Sequence, residues 1–403
     1  MIRIPGVAAI LSALLLIPTA LTHAEEITDK FEISGFARII GGYLSHSSRR
    51  FEGYTDEFSI GEQSLFAVQP SYSFSDKLSI SSQFVAHTSD DRDNGLEWAY
   101  LSYRPDNAWH LRAGRLRTPF FIYSDSYDVG YTYPWVTAPV QVYNNYLFSN
   151  FTGASASYYQ SGNTLALNLE AYYGYFKGDL FLAGTKVDVE TEVEDLMGLV
   201  ATISHNNLSL RMAYHQAQNE TVIPNVNALR SILYSQGFNE SAKSLESSGQ
   251  VYALQTSLSY DTLNSFYKAE WVNIVTGFEI APEVTGYYLM AGRVVNDWTF
   301  HLTYSRSEYS DVMMANELPM PPSGNPQLDQ LAGAYYQVFA DTPNGKLDSY
   351  TLGSRWDFRM NMALKAEVSL LQESRSRTGF FANSEFSPNE DAYLYQVAWE
   401  WIF

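Results

Sequence analysis

The sequence predicts an all-β fold, a transmembrane antiparallel β-barrel of about sixteen strands. Three observations predict it. Apolar and polar residues alternate in short segments as far as Phe403, and tight turns alternate with longer polar stretches between those segments. Aromatic residues make up 15% of the chain, charged residues 17%, and the mean hydropathy of -0.19 is mildly polar. This composition fits strands that turn one face to lipid and the other to water.

The first strand is predicted near Phe31 to Leu44. Its odd positions are mostly small or apolar, and its even positions include Glu32, Ser34 and Arg38. A period of two with one apolar side is typical of a strand that is half in contact with lipid. Seven tight turns follow from their breaker residues, near 75–77, 105–107, 161–163, 205–207, 261–264, 295–297 and 359–361.

Longer stretches lie between these hairpins and set the strand count. Together with the turns they make fifteen connections and hence sixteen strands, although one misjudged hairpin would change this to fourteen or eighteen. Short turns at one end and long loops at the other are typical of outer-membrane barrels. The eight long stretches lie near 45–62, 88–94, 118–149, 176–193, 218–249, 275–283, 310–346 and 374–390. Within the seventh, a short helix is predicted over Gln327 to Ala340.

The last strand carries the clearest lipid-facing pattern. Side chains predicted to face lipid alternate along it with Leu394, Gln396, Ala398, Glu400 and Ile402. A soluble edge strand with so many exposed aromatic rings would invite aggregation, whereas a membrane strand needs them. The outward set is Tyr393, Tyr395, Val397, Trp399, Trp401 and the terminal Phe403.

The N-terminus has the three parts of a secretory signal peptide. Arg3 is basic, Val7 to Ile17 is apolar, and small residues precede a cleavage site after Ala24. The apolar run is too short to cross about 30 Å of hydrocarbon as a helix. We therefore predict a signal peptide over residues 1–24 and a barrel over residues 25–403.

Charge and cysteine content exclude several classes of protein. Removal of residues 1–24 takes away Arg3 and no acid, so the net charge goes from -19 to -20. A chain this acidic is not expected to bind nucleic acid. The absence of cysteine excludes thiol catalysis and cysteine-ligated metal, and it suits export through an oxidising compartment. We expect no cofactor and no metal.

Three motifs resemble those of Gram-negative outer-membrane porins. They are SGFARIIGGY in the first strand, LRAGRLRTPFFIYSDSYDVGYTYPWVTAP from Leu111, and LGSRWDF followed by ALKAE from Leu352. The terminal Phe403 also resembles the signal that the barrel assembly machinery reads. The resemblance implies a homotrimer in the outer membrane, in contact with lipid and lipopolysaccharide. It also implies passive diffusion of ions and small hydrophilic solutes, without catalysis.

The same resemblance implies that the third long loop, here residues 118–150, folds inward and narrows the pore. Loop acids then face basic residues of the wall. The candidate acids are Asp125 and Asp128. The candidate bases are Arg38, Arg112, Arg115 and Arg355.

Alternation leaves open which arginine of the fifth strand faces the lumen. With Leu111 and Ala113 outward, Arg112 points inward and Arg115 outward. A bulge at Gly114 would reverse the facing of Arg115.

Two other functions remain as alternatives. A substrate-specific channel for a sugar, an anion or an aromatic compound is suggested by the aromatic third loop, where the rings either line a slide for the solute or pack the loop against the wall. An outer-membrane hydrolase needs a nucleophile beside a base. The histidines left after cleavage are scattered along the chain, at His46, His87, His110, His205, His215 and His301.

Overall fold

The computed structural model describes residues 30–403, except 48, 90–91, 145–147, 183–184, 313, 316, 341, 375–379 and 382–388. Sixteen strands form one closed barrel. The first eight are β1 Phe31–Leu44, β2 Leu65–Ser75, β3 Leu78–His87, β4 Gly95–Tyr103, β5 Trp109–Arg117, β6 Asn150–Ser161, β7 Leu165–Leu182 and β8 Thr185–His205. The others are β9 Leu208–Thr221, β10 Ser248–Asp261, β11 Ser265–Thr276, β12 Val284–Val295, β13 Trp298–Tyr309, β14 Gly345–Arg359, β15 Met362–Ser374 and β16 Asn389–Ile402.

Each strand pairs antiparallel with the next in sequence, and β16 pairs with β1 to close the sheet. At the seam, the backbone N–H of Gly35 donates to the carbonyl of Phe403 at 2.8 Å, and the N–H of Phe403 donates back at 2.9 Å. The predicted strand count and all seven predicted tight turns are confirmed. Closure leaves no free sheet edge. The backbone N–H and C=O groups of such an edge would have no hydrogen-bond partners inside lipid.

The two faces of the wall differ as alternation predicts. On β13, Trp298, Phe300 and Leu302 point outward, and Leu302 is 60% exposed. The residues at the alternate positions of β13 point inward and are polar and buried: Thr299, His301, Thr303, Ser305 and Ser307. The barrel therefore has an apolar outside and a polar inside.

One predicted loop is wrong. The stretch 176–193 was expected to be a long loop, but β7 and β8 run through it and pair as far as Leu182 and Thr185. The acidic segment after Thr185 contains valine or threonine at every second position from Val187 to Val193. This β-branched periodicity favours a strand, and the acidic composition obscured it.

Short helices lie in three of the long loops. They are α1 Val140–Tyr143, α2 Pro224–Ser235, α3 Asn239–Lys243 and α4 Pro326–Ala340. The predicted helix over Gln327 to Ala340 is confirmed as α4, whereas α2 and α3 were not predicted. α2, α3 and α4 bury one apolar cluster that includes Leu233, Ala242 and Tyr335. Among the described residues, no helix is long and apolar enough to cross a membrane. The predicted signal peptide lies outside the described residues.

Candidate pore constriction

The loop between β5 and β6, residues 118–149 and here called the folded loop, packs against inward-facing side chains of the wall. Tyr123, Tyr133, Trp135 and Tyr143 are buried in one cluster with Tyr288 of β12. The Trp135 indole N–H donates to the hydroxyl of Thr303 at 2.9 Å. These rings hold the loop in place, as the packing alternative predicted. Tyr146, another aromatic residue of the folded loop, lies outside the described residues.

Basic side chains of the wall hold the backbone of the folded loop. The Lys365 ammonium donates to the carbonyls of Gly130, Tyr133 and Trp135, each at 2.8 Å. Arg38 donates to the carbonyl of Val136 at 2.7 Å. Both side chains are buried, and both face Glu400 of β16, at 2.6 Å from Lys365 and 3.5 Å from Arg38.

Two further arginines bind the beginning and the middle of the folded loop. Arg211 donates to the carbonyl of Pro119 at 2.6 Å, close to where the folded loop begins. Arg355 donates to the carbonyl of Tyr131 at 2.6 Å and lies 4.4 Å from the centre of that ring. Its other donors meet Asp357 at 2.7–3.1 Å. A planar guanidinium can serve a carbonyl, a ring and a carboxylate together.

Wall carboxylates complete this set by accepting from loop N–H and hydroxyl groups. Glu270 accepts from the N–H of Ile122 and from the Tyr143 hydroxyl, both at 2.9 Å. Glu367 accepts from the N–H of Val136 at 2.8 Å and lies 3.1 Å from His301. The loop backbone thus finds partners on the wall for polar groups that would otherwise be buried without them.

Asp128 is buried under the folded loop rather than on its surface. It forms ion pairs with Arg117, at the end of β5, and with Arg92 at 3.8 Å. Burial alone would raise the pKa of Asp128, but Arg117 and Arg92 lower it well below its usual range. The carboxylate is therefore charged at neutral pH and fixes the loop to the end of β5.

Arg112 and Asp125 lie on an open cavity at the short-turn end of the barrel. The cavity is also lined by Lys77, Arg104 and Glu170. Arg112 donates to Glu170 at 2.5 Å and to the Ser155 hydroxyl at 3.1 Å. Asp125 is exposed and interacts electrostatically with Arg112 across this space. Here an acid of the loop faces a base of the wall beside open volume.

Arg115 lies two and four residues after Ala113 and Leu111, so strict alternation would put all three on the same face of β5. The pairing of β5 with β4 and β6 shows no register shift at Gly114, so it gives no support to a bulge there. Arg115 is exposed and donates to Asn150 at 2.8 Å. Alternation alone would turn Arg115 outward, yet Gly114 has a φ of +139° and Arg115 lines a second cavity with Arg117 and Asp128.

The structure thus divides the six predicted constriction residues. Arg112 and Asp125 line one open cavity, whereas Arg38, Asp128 and Arg355 hold the folded loop, and Arg115 lines a second cavity beside it. Sequence reasoning gave no site role to six further inward-facing residues: Arg211, Lys365, Glu170, Glu270, Glu367 and Glu400. Alternation places these charged side chains on the inward face of the wall. This position could have indicated a role, because a charge there needs either water or a partner.

The sequence matches no protein-family model and no curated protein. Solved structures do match. An anion-selective porin from Comamonas acidovorans has a TM-score of 0.56 and 12% identity, over 93% of this chain and 99% of that one. A loop L8 deletion mutant of OmpT, an outer membrane protein of Vibrio cholerae, has a TM-score of 0.55 and 11% identity, over 93% and 99%.

OmpF of Salmonella typhi, in complex with daunomycin, has a TM-score of 0.54 and 11% identity, over 93% of this chain and 97% of that one. At such identities the likeness concerns the fold. It agrees with the closed barrel and with the strand order around it. The chain therefore has the sixteen-stranded barrel fold of the outer-membrane porins.

Proposed function

We propose that the protein is a passive diffusion channel in the outer membrane of a Gram-negative bacterium. The observation that carries this proposal is the contrast between the two faces of the wall. Outward residues such as Leu302, Leu352 and Val397 are between 51% and 60% exposed, while the inward neighbours are polar. A contiguous apolar exterior of this kind suits lipid and would aggregate in water.

The folded loop narrows the bore in this proposal, and solutes pass between its tip and the wall of β3 to β7. Cavities lie on this side of the loop at both ends of the barrel. Arg112 and Glu170 on the wall and Asp125 on the loop supply a transverse field at the narrow point. Such a field orients dipolar solutes and biases the passage of ions.

The assembly is proposed to be a homotrimer, since one of the matching solved structures is described as a trimer form of OmpT. Lipopolysaccharide and lipid would contact the apolar outside. The signal peptide over residues 1–24, export, and recognition of the strand ending in Phe403 by the barrel assembly machinery belong to the same proposal.

Planar-bilayer recording on the purified chain tests the proposal. We expect stepwise conductance that rises linearly with salt concentration, and swelling of liposomes in small sugars at rates that fall with sugar size. No single hydrophilic solute should give saturable block. A barrel that inserts into bilayers but conducts no ions would overturn the proposal, as would a folded chain that stays soluble without detergent.

A catalytic role receives little support from the histidines. The nearest approach to a nucleophile beside a base is Ser102 and His110, whose Oγ and Nε2 atoms lie 2.7 Å apart. Arg104 and Arg112 lie near this ring, and no hydrogen bond joins it to a carboxylate among the described residues. We therefore propose that the pair is structural, and we expect no ester hydrolysis by the purified protein.

A further inference from the structure

A small cavity lies between the folded loop and the wall formed by β8 to β11. Its lining is mainly apolar, and its polar members are His215, Gln216, Asn219 and Gln255. Phe120, Phe121 and Phe148 of the loop form one side. Val193, Leu196, Val272 and Ile274 form the other. By contrast, the inward-facing residues of β13 are polar. The wall beside this cavity is therefore more apolar than the inward face of β13.

A β-bulge turns two apolar wall residues that are three positions apart, Val193 and Leu196, toward the cavity. The pairing of β8 with β9 shifts between Glu194 and Met197, and Asp195 has a φ of +48°. Residues three positions apart on a regular strand point to opposite faces. Here Val193 and Leu196 are 4% and 1% exposed, and both line the cavity. Bulges of this kind often re-aim side chains beside functional sites.

His215 supplies a polar atom in these apolar surroundings. Its Nδ1 atom lies 2.7 Å from the Tyr172 hydroxyl. Its ring is 3% exposed, and its Nε2 atom is buried with no hydrogen-bond partner among the described residues. Buried polar atoms without partners are rare, and each calls for an explanation. Because Tyr172 occupies Nδ1, Nε2 is the ring nitrogen left for a ligand.

We propose that this cavity binds a small phenol, with its ring among the phenylalanines and its hydroxyl on Nε2 of His215. The cavity of about 70 Å³ is open on one side, so a small ring lies partly inside it with its substituents toward the opening. Aromatic walls favour an aromatic ring in edge-to-face contact, the geometry that Phe120 and His215 already show at 4.8 Å. A phenol hydroxyl both donates and accepts, so it satisfies Nε2 in either tautomer.

The site does not depend on the proposed conductance, because it is tested on the detergent-purified full chain. Crystals soaked in 4-bromophenol should show an anomalous bromine peak between Phe120 and Ile274. Titration of 4-fluorophenol, followed by its fluorine resonance, should give saturable binding. Fluorobenzene should bind roughly tenfold more weakly, the ratio commonly contributed by one hydrogen bond.

Two variants separate ring binding from hydroxyl recognition. Ala217→Leu adds bulk to the lining and should abolish the bromine peak and the saturable binding. His215→Phe keeps the ring shape, and should reduce 4-fluorophenol affinity to that of fluorobenzene. His110→Phe, four strands away on β5 and outside the lining of this cavity, is the matched control and should bind like the unmodified chain.

Absence of a bromine peak in the cavity would overturn the proposal, as would a peak that persists in Ala217→Leu. Binding seen at soaking concentration but not in the titration would also count against it. Equal affinity of His215→Phe and the unmodified chain would overturn the recognition of the hydroxyl. A conducting channel that fails to bind refutes this inference alone, and a binding barrel that fails to conduct refutes the proposed function alone.

Discussion

The Lys365 ammonium lies 2.6 Å from a carboxylate oxygen of Glu400, and the side chains are 0% and 1% exposed. The same ammonium holds three carbonyls of the folded loop. A charge this deeply buried is stable only when its donors are all engaged. The pair therefore ties the neighbouring strands β15 and β16 to the folded loop that crosses beside them.

Lys365→Met is expected to release the folded loop. Removing one member of a buried ion pair costs about 3–5 kcal/mol, because the remaining carboxylate is left without compensation. We expect earlier thermal unfolding in detergent and noisier single-channel current. Lys346→Met is the matched control, since Lys346 is 44% exposed and pairs with Glu308 at 3.0 Å. A surface pair of that kind contributes at most about 1 kcal/mol.

The double variant Lys365→Met with Glu400→Gln removes both charges and should recover part of the lost stability. If Lys365→Met unfolds at the same temperature as the unmodified chain, the ion pair is not what holds the loop.

Ion selectivity is expected to follow Arg112 and Asp125. Arg112→Glu should shift permeability toward cations, and Asp125→Lys toward anions, because each reverses a charge beside the open cavity. A unit charge 4 Å from an ion is worth about 1 kcal/mol in water, so several-fold changes in the permeability ratio are expected. Reversal potentials in a salt gradient measure this ratio.

Arg230→Glu in α2 serves as the control for charge reversal away from the lumen and should leave the reversal potential unchanged. If Arg112→Glu and Asp125→Lys also leave it unchanged, the proposed narrow point lies elsewhere.

The Asp128 carboxylate is expected to stabilise the fold at neutral pH and to lose this effect in strong acid. Its pKa in the folded protein is lowered by Arg117 and Arg92. The stabilisation is therefore fully present above the ordinary aspartate pKa of about 4 and disappears as the pH falls through the lower native value. Asp128→Asn should unfold earlier than the unmodified chain at pH 7, with a smaller difference at about pH 2.

Thermal unfolding at the two pH values measures the Asp128 effect. Asp56→Asn changes an exposed loop aspartate and should behave like the unmodified chain at both. An equal destabilisation by Asp128→Asn at both pH values would show that the carboxylate charge is not responsible.

Leu302→Arg should destabilise the barrel in lipid by about 2–4 kcal/mol if the residue faces the bilayer midplane. The side chain is 60% exposed on the outward face of β13. The measurement is folding into liposomes across a urea series. Leu263→Arg is the control. Leu263 lies in the tight turn after β10 and is 95% exposed, so this substitution should cost little stability. Similar costs for the two variants would contradict a lipid-facing β13.

Alternation and turn residues determined most of the wall from the sequence. A period of two sets the facing of every strand once one face is apolar, and tight turns fix the register locally. β1 has the bounds that this logic predicts, and α4 begins one residue before the helix expected from the sequence. Alternation turns Arg112 inward and, beside Gly114, leaves the facing of Arg115 open, which stays a prediction. It failed over 176–193, where acidic residues obscured the β-branched period of β8.

The roles of the inward charges were decided by the tertiary structure alone. Arg38, Arg112 and Lys365 have the same inward parity, yet Arg112 lies beside an open cavity while Arg38 and Lys365 are buried beneath the folded loop. The partners of Lys365 on the loop are 230 to 235 residues away in sequence. Periodicity is local and says which face a side chain occupies. Only the path of a distant segment decides whether water or protein fills the space in front of it.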